Sequence, residues 1–144
     1  MNKSIYLLPK DKWDEALILV KEVFMEFEAP DYGDEGVAEI MRSYRDESYL
    51  NMHTFYGAYQ DDKLVGVIAT RNNNHHIGLL FVDKNYHRMG IGRQLIHHIL
   101  GMKGEEPVTV NSSPYAHEFY KKLGFVDTSK EQTSNGVRYY PMKK

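Results

Sequence analysis

The chain has 144 residues, 42% apolar and 26% charged, which is the size and balance of one globular domain spanning residues 1–144. It has no cysteine, so disulfide frameworks, Cys-ligated zinc, iron–sulfur clusters and thiolate nucleophiles are excluded. A net charge of −2 argues against a nucleic-acid partner held by bulk electrostatics. The first thirteen residues carry no apolar run of signal-peptide length, and no stretch approaches the ~20 apolar residues of a membrane span. The expectation is a soluble, cytoplasmic protein with no membrane partner. The average charge hides an asymmetry: residues 1–50 sum to −6 and residues 51–144 to +4. Two amphipathic helices with solvated acidic faces would produce this, and so would a ligand with ends of opposite charge.

Residues 3–8 read as a first strand that Pro9 ends, with Asp11 available to cap the next element. Trp13, Leu17, Val20, Phe24 and Phe27 recur at spacings of three and four, which predicts one face of a helix ending near Ala29 and Pro30. A turn-rich joint over residues 31–36 leads to a weaker helix carrying Val37, Ile40, Met41 and Tyr44. Residues 54–60 and 63–70 read as a β-hairpin about Asp61 and Asp62, and residues 71–74 as a turn. Residues 76–83 are almost continuously apolar, which predicts a strand covered on both faces. A second long helix over residues 90–102 sets Ile91, Leu95 and Ile99 on one face. A strand over residues 107–110 comes next, then a short helix over residues 114–123 capped by Ser113. Residues 125–128 and 137–141 close the chain as a strand pair about Asn135 and Gly136. This order predicts an α/β fold with a mixed sheet and helices on both faces.

Two segments carry chemistry. In the first, a buried strand runs through His87-Arg88-Met89-Gly90-Ile91-Gly92-Arg93 into a helix. A helix start leaves backbone N–H groups without partners and carries positive dipole charge, and glycines there admit a ligand close to the backbone. That makes an anion site suited to phosphate, with Arg88 and Arg93 flanking it. The loop lacks the Gly-Lys-Ser/Thr of a P-loop and has Leu95 where the dinucleotide fingerprint wants a third glycine. In the second segment, a strand ends in Asn111-Ser112-Ser113, and a helix then carries Phe119 and Tyr120 before Leu123-Gly124-Phe125. Either segment alone has a purely structural explanation: a glycine-rich helix entry, and an amphipathic core tyrosine.

Together the two segments resemble the Gcn5-related N-acetyltransferase (GNAT) family, and the element order resembles it along essentially the whole chain. Residues 87–92 resemble its acetyl-CoA loop, Gln/Arg-x-x-Gly-x-Gly/Ala, with His87 standing at the usual Gln/Arg position. Residues 116–125 resemble its Phe-Tyr-x-x-x-Gly-Phe motif. The resemblance implies a mostly antiparallel sheet of about seven strands, in which a parallel pair, residues 76–83 and 107–111, splays to admit the pantetheine arm of acetyl-CoA.

It also implies pyrophosphate donors at His87, Arg88, Met89, Gly90, Ile91, Gly92 and Arg93. A strand amide at Phe81 or Val82 would polarise the acetyl carbonyl, and Asn111 and Ser112 would contact the arm. The implied activity is acetyl transfer from acetyl-CoA to a primary amine by direct attack. A small-molecule amine or amino-acid-like metabolite is the leading acceptor, a protein or peptide amine the alternative, and a non-catalytic acyl-CoA-binding module a third reading. Tyr120 matches the family's tyrosine acid. The base position of many members falls on His76, with Glu26, Glu28 or a water chain as rivals. The acceptor would enter beside Phe27, Glu28, Asp31, Tyr32, Asp34 and Glu35, and Tyr139 and Tyr140 could support a homodimer. The sequence has no H-E-x-x-H spacing, and no metal is expected.

Overall fold

The computed structural model describes residues 3–144. Strand β1 (Lys3–Leu7) leads through a 3-10 turn at Lys10–Lys12 into helix α1 (Trp13–Val23), which runs on as a π-helical turn at Phe24–Glu28 and a 3-10 turn at Ala29–Asp31. Helices α2 (Asp34–Ser43) and α3 (Glu47–Asn51) precede the hairpin β2 (Thr54–Gln60) and β3 (Lys63–Arg71). Strand β4 (His76–Val82), helix α4 (Ile91–Lys103), strand β5 (Thr109–Ser112) and helix α5 (His117–Lys122) come after it. Strands β6 (Val126–Asp127), β7 (Gln132–Ser134) and β8 (Val137–Lys143) end the chain.

Among the described residues the sheet has eight strands in the order β1-β2-β3-β4-β5-β8-β6, with β7 on β8. Among the described residues only β4 and β5 are parallel. Ala16, Leu17, Val20 and Phe24 of the first helix bury against Val67, Ala69, Leu79 and Phe81 on one face of the sheet. Ile91, Leu95, Ile96 and Ile99 of α4 bury with Val65, Ile68, Ile77 and Val110 on the other. Each such fully buried branched side chain contributes roughly 1.5–3 kcal/mol of transfer free energy.

Three local readings change. Asp11 makes no cap, because residues 10–12 form a 3-10 turn and no side-chain hydrogen bond caps α1. The short helix α3 carries no readable periodicity; it is started by Asp46, whose carboxylate accepts from the amides of Ser48 and Tyr49. The Asn135–Gly136 turn joins β8 to β7, which lies within loop-length reach, while β6 pairs separately at the far end of β8.

The strand β4 alternates between buried and partly buried residues. A bulge between β3 and β4 sets Leu79 opposite Ala69 but Ile77 opposite Thr70, so Gly78 is the extra residue. The bulge swaps faces: Leu79 and Phe81 sit with the first helix, Ile77 with α4. Beyond it, Asn72, Asn73 and Asn74 all take left-handed backbone, at φ 56°, 55° and 65°. Asparagine tolerates that region, and the run turns the chain sharply between Arg71 and His76.

Two glycines of contrasting setting test the packing. A Cβ on Gly66 of β3 would lie 2.9 Å from Ile91 Cγ2 and 3.0 Å from Leu95 Cδ1, so α4 packs directly on bare backbone. Gly101 of α4 has nothing within 4 Å of its Cβ position. In urea denaturation, Gly66→Ala is expected to lose about 1–3 kcal/mol by overpacking. Gly101→Ala is expected to gain about 0.5–1 kcal/mol by relieving the helix of glycine entropy.

Candidate active site

Strands β4 and β5 are paired only at His76–Thr109 and Ile77–Val110. Beyond that they part, and a cavity of about 400 Å³ opens between residues 76–81 on one side and residues 110–113 on the other. Asp83 N–H donates to Val65 O at 2.8 Å, which makes that pair a bonded rung of the β3–β4 ladder. Alternation then turns Phe81 and Leu79 toward β3 and leaves the backbone groups of Val82 and Leu80 facing the gap. Of the two amides named from the sequence, Phe81's therefore belongs to the β3 ladder and Val82's faces the opening.

At the C-terminal end of β4, His87 Nε2 donates to Val82 O at 2.7 Å, since a carbonyl can only accept. The His87 ring also packs on Phe27, with centroids 4.8 Å apart. His87 therefore braces the mouth of the gap. Arg88 and Gly90 take positive φ, 65° and 81°, and α4 begins at Ile91. The Gln94 N–H to Gly90 O bond, 3.0 Å, is the first of the helix, so the amides of Ile91, Gly92 and Arg93 leave the helix start without helical partners. Arg88, Met89 and Arg93 are exposed, and a Cβ on Gly90 would meet nothing within 4 Å. A Cβ on Gly92 would lie 3.1 Å from Phe119 Cζ, so this glycine serves the contact between α4 and α5. Ile91 is only 2% exposed, so its side chain belongs to the core. This surface can hold a phosphate-bearing anion by its backbone and two arginines.

The helix α5 is framed at both ends. The helix begins at His117, later than the sequence suggests, with Ala116 as its cap and no side-chain cap bond; Ser113 Oγ instead accepts from Ala116 N at 3.2 Å in the turn that leads into it. At the other end Phe125 N–H donates to Tyr120 O and Gly124 N–H to Lys121 O, with Gly124 at φ 96°. This pair of bonds needs a residue with left-handed backbone, which explains the glycine in the motif. It seats Tyr120 between Phe119 and Phe125, each ring 5.3 Å away, with its edge on the cavity. Burial, and then the charge of Glu28, push the Tyr120 phenol well above its ordinary pKa. Ser112 is buried and donates its hydroxyl to Ser113 O, whereas Asn111 is exposed; both border the cavity.

Glu28 closes the far side of the cavity, carried there by the π-helical turn that ends the first helix. Desolvation raises its pKa to about 7; Ser113, whose hydroxyl faces the carboxyl, opposes this, and the charge of Asp31 adds to it. His76 also lines the cavity. Its Nδ1 lies 2.7 Å from Thr109 Oγ1, and its pKa is lowered to about 4 by burial first, then by Arg71 and His53. His75 lies elsewhere, with Nδ1 on Pro107 O and Nε2 on Glu106.

Of the six residues expected around the acceptor, only Glu28 and Tyr32 are among those that line the cavity. Phe27 turns to His87 and Tyr115, and Asp34 and Glu35 are exposed on the first turn of α2. The cavity wall instead includes Tyr44, Tyr49, Arg71 and Arg138, which sequence reasoning missed. Arg71 ends a hairpin strand and reads as part of a turn; nothing in its neighbourhood marks it. Tyr139 lines the same cavity, and Tyr140 stacks on His117 at 3.8 Å and donates to Glu131, so both rings are engaged within the chain.

The acetyltransferase (GNAT) domain family matches residues 28–144. The chain belongs to the GNAT family. It is similar to the peptidyl-lysine N-acetyltransferase YjaB of Escherichia coli, 29% identical over 81% of this chain and 76% of that protein. The solution structure of apo YjaB superposes with a TM-score of 0.75 at 25% identity, over 99% of this chain and 96% of that one. The PaiA N-acetyltransferase of Thermoplasma acidophilum, solved with coenzyme A, superposes with a TM-score of 0.78 at 23% identity, over 100% and 99% of the two chains. The GNAT chain described here is an N-acetyltransferase. Among its described residues no helix is long and apolar enough to cross a membrane.

The raised pKa of Glu28 has a consequence for stability. The folded state holds its proton more tightly than the unfolded state, so this group's contribution is fully present below pH 4.5 and is lost as pH rises through about 7. Glu28→Gln removes the titration. Relative to the native enzyme, the variant is expected to gain stability between about pH 5 and about pH 8, measured as the difference in Tm at the two values.

Proposed function

We propose that this GNAT enzyme transfers the acetyl group of acetyl-CoA to the amine of a small molecule, with Glu28 as general base and Tyr120 as general acid. The observation that carries this reading is the cavity where the open edge of β4, the raised carboxyl of Glu28 and the buried phenol of Tyr120 meet. The pantetheine arm is an amide chain, and the backbone groups of Leu80 and Val82 would pair with it as a strand pairs with a sheet edge. The pyrophosphate would lie on the amides of residues 91–93, with Arg88 and Arg93 beside it.

An amine attacks only when neutral, and it is mostly ammonium near pH 7. A base works best when its pKa lies near the operating pH. Glu28, at about 7, meets that condition, and it is one of the rivals to His76 weighed from the sequence. His76, at about 4, is a weak base with one ring nitrogen already engaged. As the new C–N bond forms and the C–S bond breaks, the amine's proton passes to Glu28, and Tyr120 protonates the departing sulfur. The phenol is protonated near neutral pH, and its place at the cavity edge lets the charge developing on the sulfur draw that proton across.

A small acceptor is favoured by the way the acceptor side is roofed. Tyr32 Oη donates to Arg138 O at 3.2 Å, and Arg138 Nη1 donates to Asp31 O at 3.2 Å. A Cβ on Gly36 or Gly136 would collide with the other's backbone, so the first turn of α2 and the β7–β8 hairpin are clasped together. A lysine side chain of a protein is the second reading, supported by the activity in the name of the E. coli relative. Acetylation of an amine panel against lysine peptides, followed by thiol release, separates the two.

Tyr120→Phe is expected to lower kcat by roughly 10²–10⁴-fold with acetyl-CoA affinity nearly intact; unchanged turnover would remove Tyr120 from the acid role. Gly90→Asp should weaken acetyl-CoA binding by calorimetry. The position is open and aspartate tolerates its left-handed backbone, so the variant should fold, leaving a carboxylate against the pyrophosphate.

A further inference from the structure

The cavity holds two arginines, and they differ. Arg138 is neutralised by Glu131, with Nε 2.7 Å from Oε2. Arg71 lines the same cavity, and among the described residues no carboxylate lies within ion-pair distance of it. Its Nη1 lies 3.3 Å from His53 Nε2. The His53 Nδ1 lies 2.9 Å from Tyr49 O, and a carbonyl accepts, so Nδ1 carries the proton and Nε2 offers a lone pair to the guanidinium. His53 is itself buried and neutral, its pKa lowered first by desolvation. It therefore holds Arg71 in place without cancelling its charge.

The mount is built into the sheet. A Cβ on Gly78, the bulge residue of β4, would strike the His53 ring, so the bulge is shaped around the group that holds Arg71. Arg71 pairs in register with His76, at the opposite end of β4 from the loop after Val82. Six residues of strand separate those ends, roughly 20 Å. The phosphates of acetyl-CoA would therefore sit too far away to be the missing anion. A partly buried guanidinium left without a counter-charge is costly. Arg71 presents a planar fork suited to carboxylate, on the acceptor side of the cavity.

We propose that Arg71 binds a carboxylate carried by the acceptor, so that the substrates are amino-carboxylates such as free amino acids and their ω-amino relatives. This rests on the small-molecule reading above. It also explains the mixed charge of the cavity: a carboxyl group, Glu28, meets the amine end, and a guanidinium meets the acid end.

The test compares amino acids and ω-amino acids of increasing length with their carboxamides, as acceptors for thiol release from acetyl-CoA. The native enzyme is expected to prefer the carboxylates by tenfold or more in kcat/KM. In Arg71→Ala, kcat/KM for the carboxylates should fall roughly 100-fold, chiefly through KM, and the ratio to the carboxamides should approach one. Arg71→Lys should restore part of the ratio. His53→Gln, whose amide oxygen can accept the same bond, should keep a ratio that His53→Leu loses. Independently, the best carboxylate should raise the Tm of the CoA-loaded native enzyme and not that of Arg71→Ala. Equal use of carboxylates and carboxamides would overturn this inference and leave the small-molecule reading intact. Acetylation of lysine peptides with no free amine accepted, and no Tm shift by any amino-carboxylate, would overturn both.

Discussion

Strands β4 and β5 share only two residue pairs, and the site depends on what happens where the pairing stops. Beyond Ile77 and Val110, β4 continues beside β3 while β5 continues beside β8, and the sheet opens along the line between them. Backbone groups in a part-buried position need partners. Those of Leu80 and Val82 face the gap, and Val82's carbonyl is taken up by His87. An extended amide chain is the ligand that would complete such an edge. The other parts of the site are arranged around this opening: the glycine loop past its wide end, Tyr120 on the helix after β5, and Glu28 from the turn facing it.

Burial within this one cavity drives the ionisable groups apart. Desolvation is the largest cause for all three: it pushes Glu28 up to about 7, His76 down to about 4, and the Tyr120 phenol upward. Removing water makes a carboxylate a better base, keeps a phenol protonated and keeps an imidazole neutral. The same surroundings thus leave a carboxyl that titrates near neutral pH beside a phenol that stays protonated. The charge asymmetry of the sequence maps onto this only in part. The basic half supplies Arg88 and Arg93 to the loop, but it also supplies Arg71 and Arg138 to the cavity wall, while Asp34 and Glu35 of the acidic half lie in solvent.

The features legible in the sequence alone were local. The three- and four-residue spacing of Trp13 to Phe27 and of Ile91 to Ile99 marked the two long helices, because a helix face repeats within a few residues. The Gly90–Gly92 entry and the Tyr120–Phe125 motif could be read for a similar reason. Each is a short stretch whose backbone demands, a left-handed cap and an open helix start, are met by residues beside one another. Residues far apart in the chain escaped that reading. The Asn135–Gly136 turn was visible but its partner strand was not, since β6 and β7 both fit the spacing. Desolvation shifts Glu28 and His76 in opposite directions, and it comes from elements packed around a residue rather than from its neighbours. Arg71 became legible only once the bulge at Gly78 had admitted His53 and the sheet had opened in front of it. Local pattern decides which elements form; which groups lose water and which charges lack a partner is decided when residues distant in the chain close around the same space.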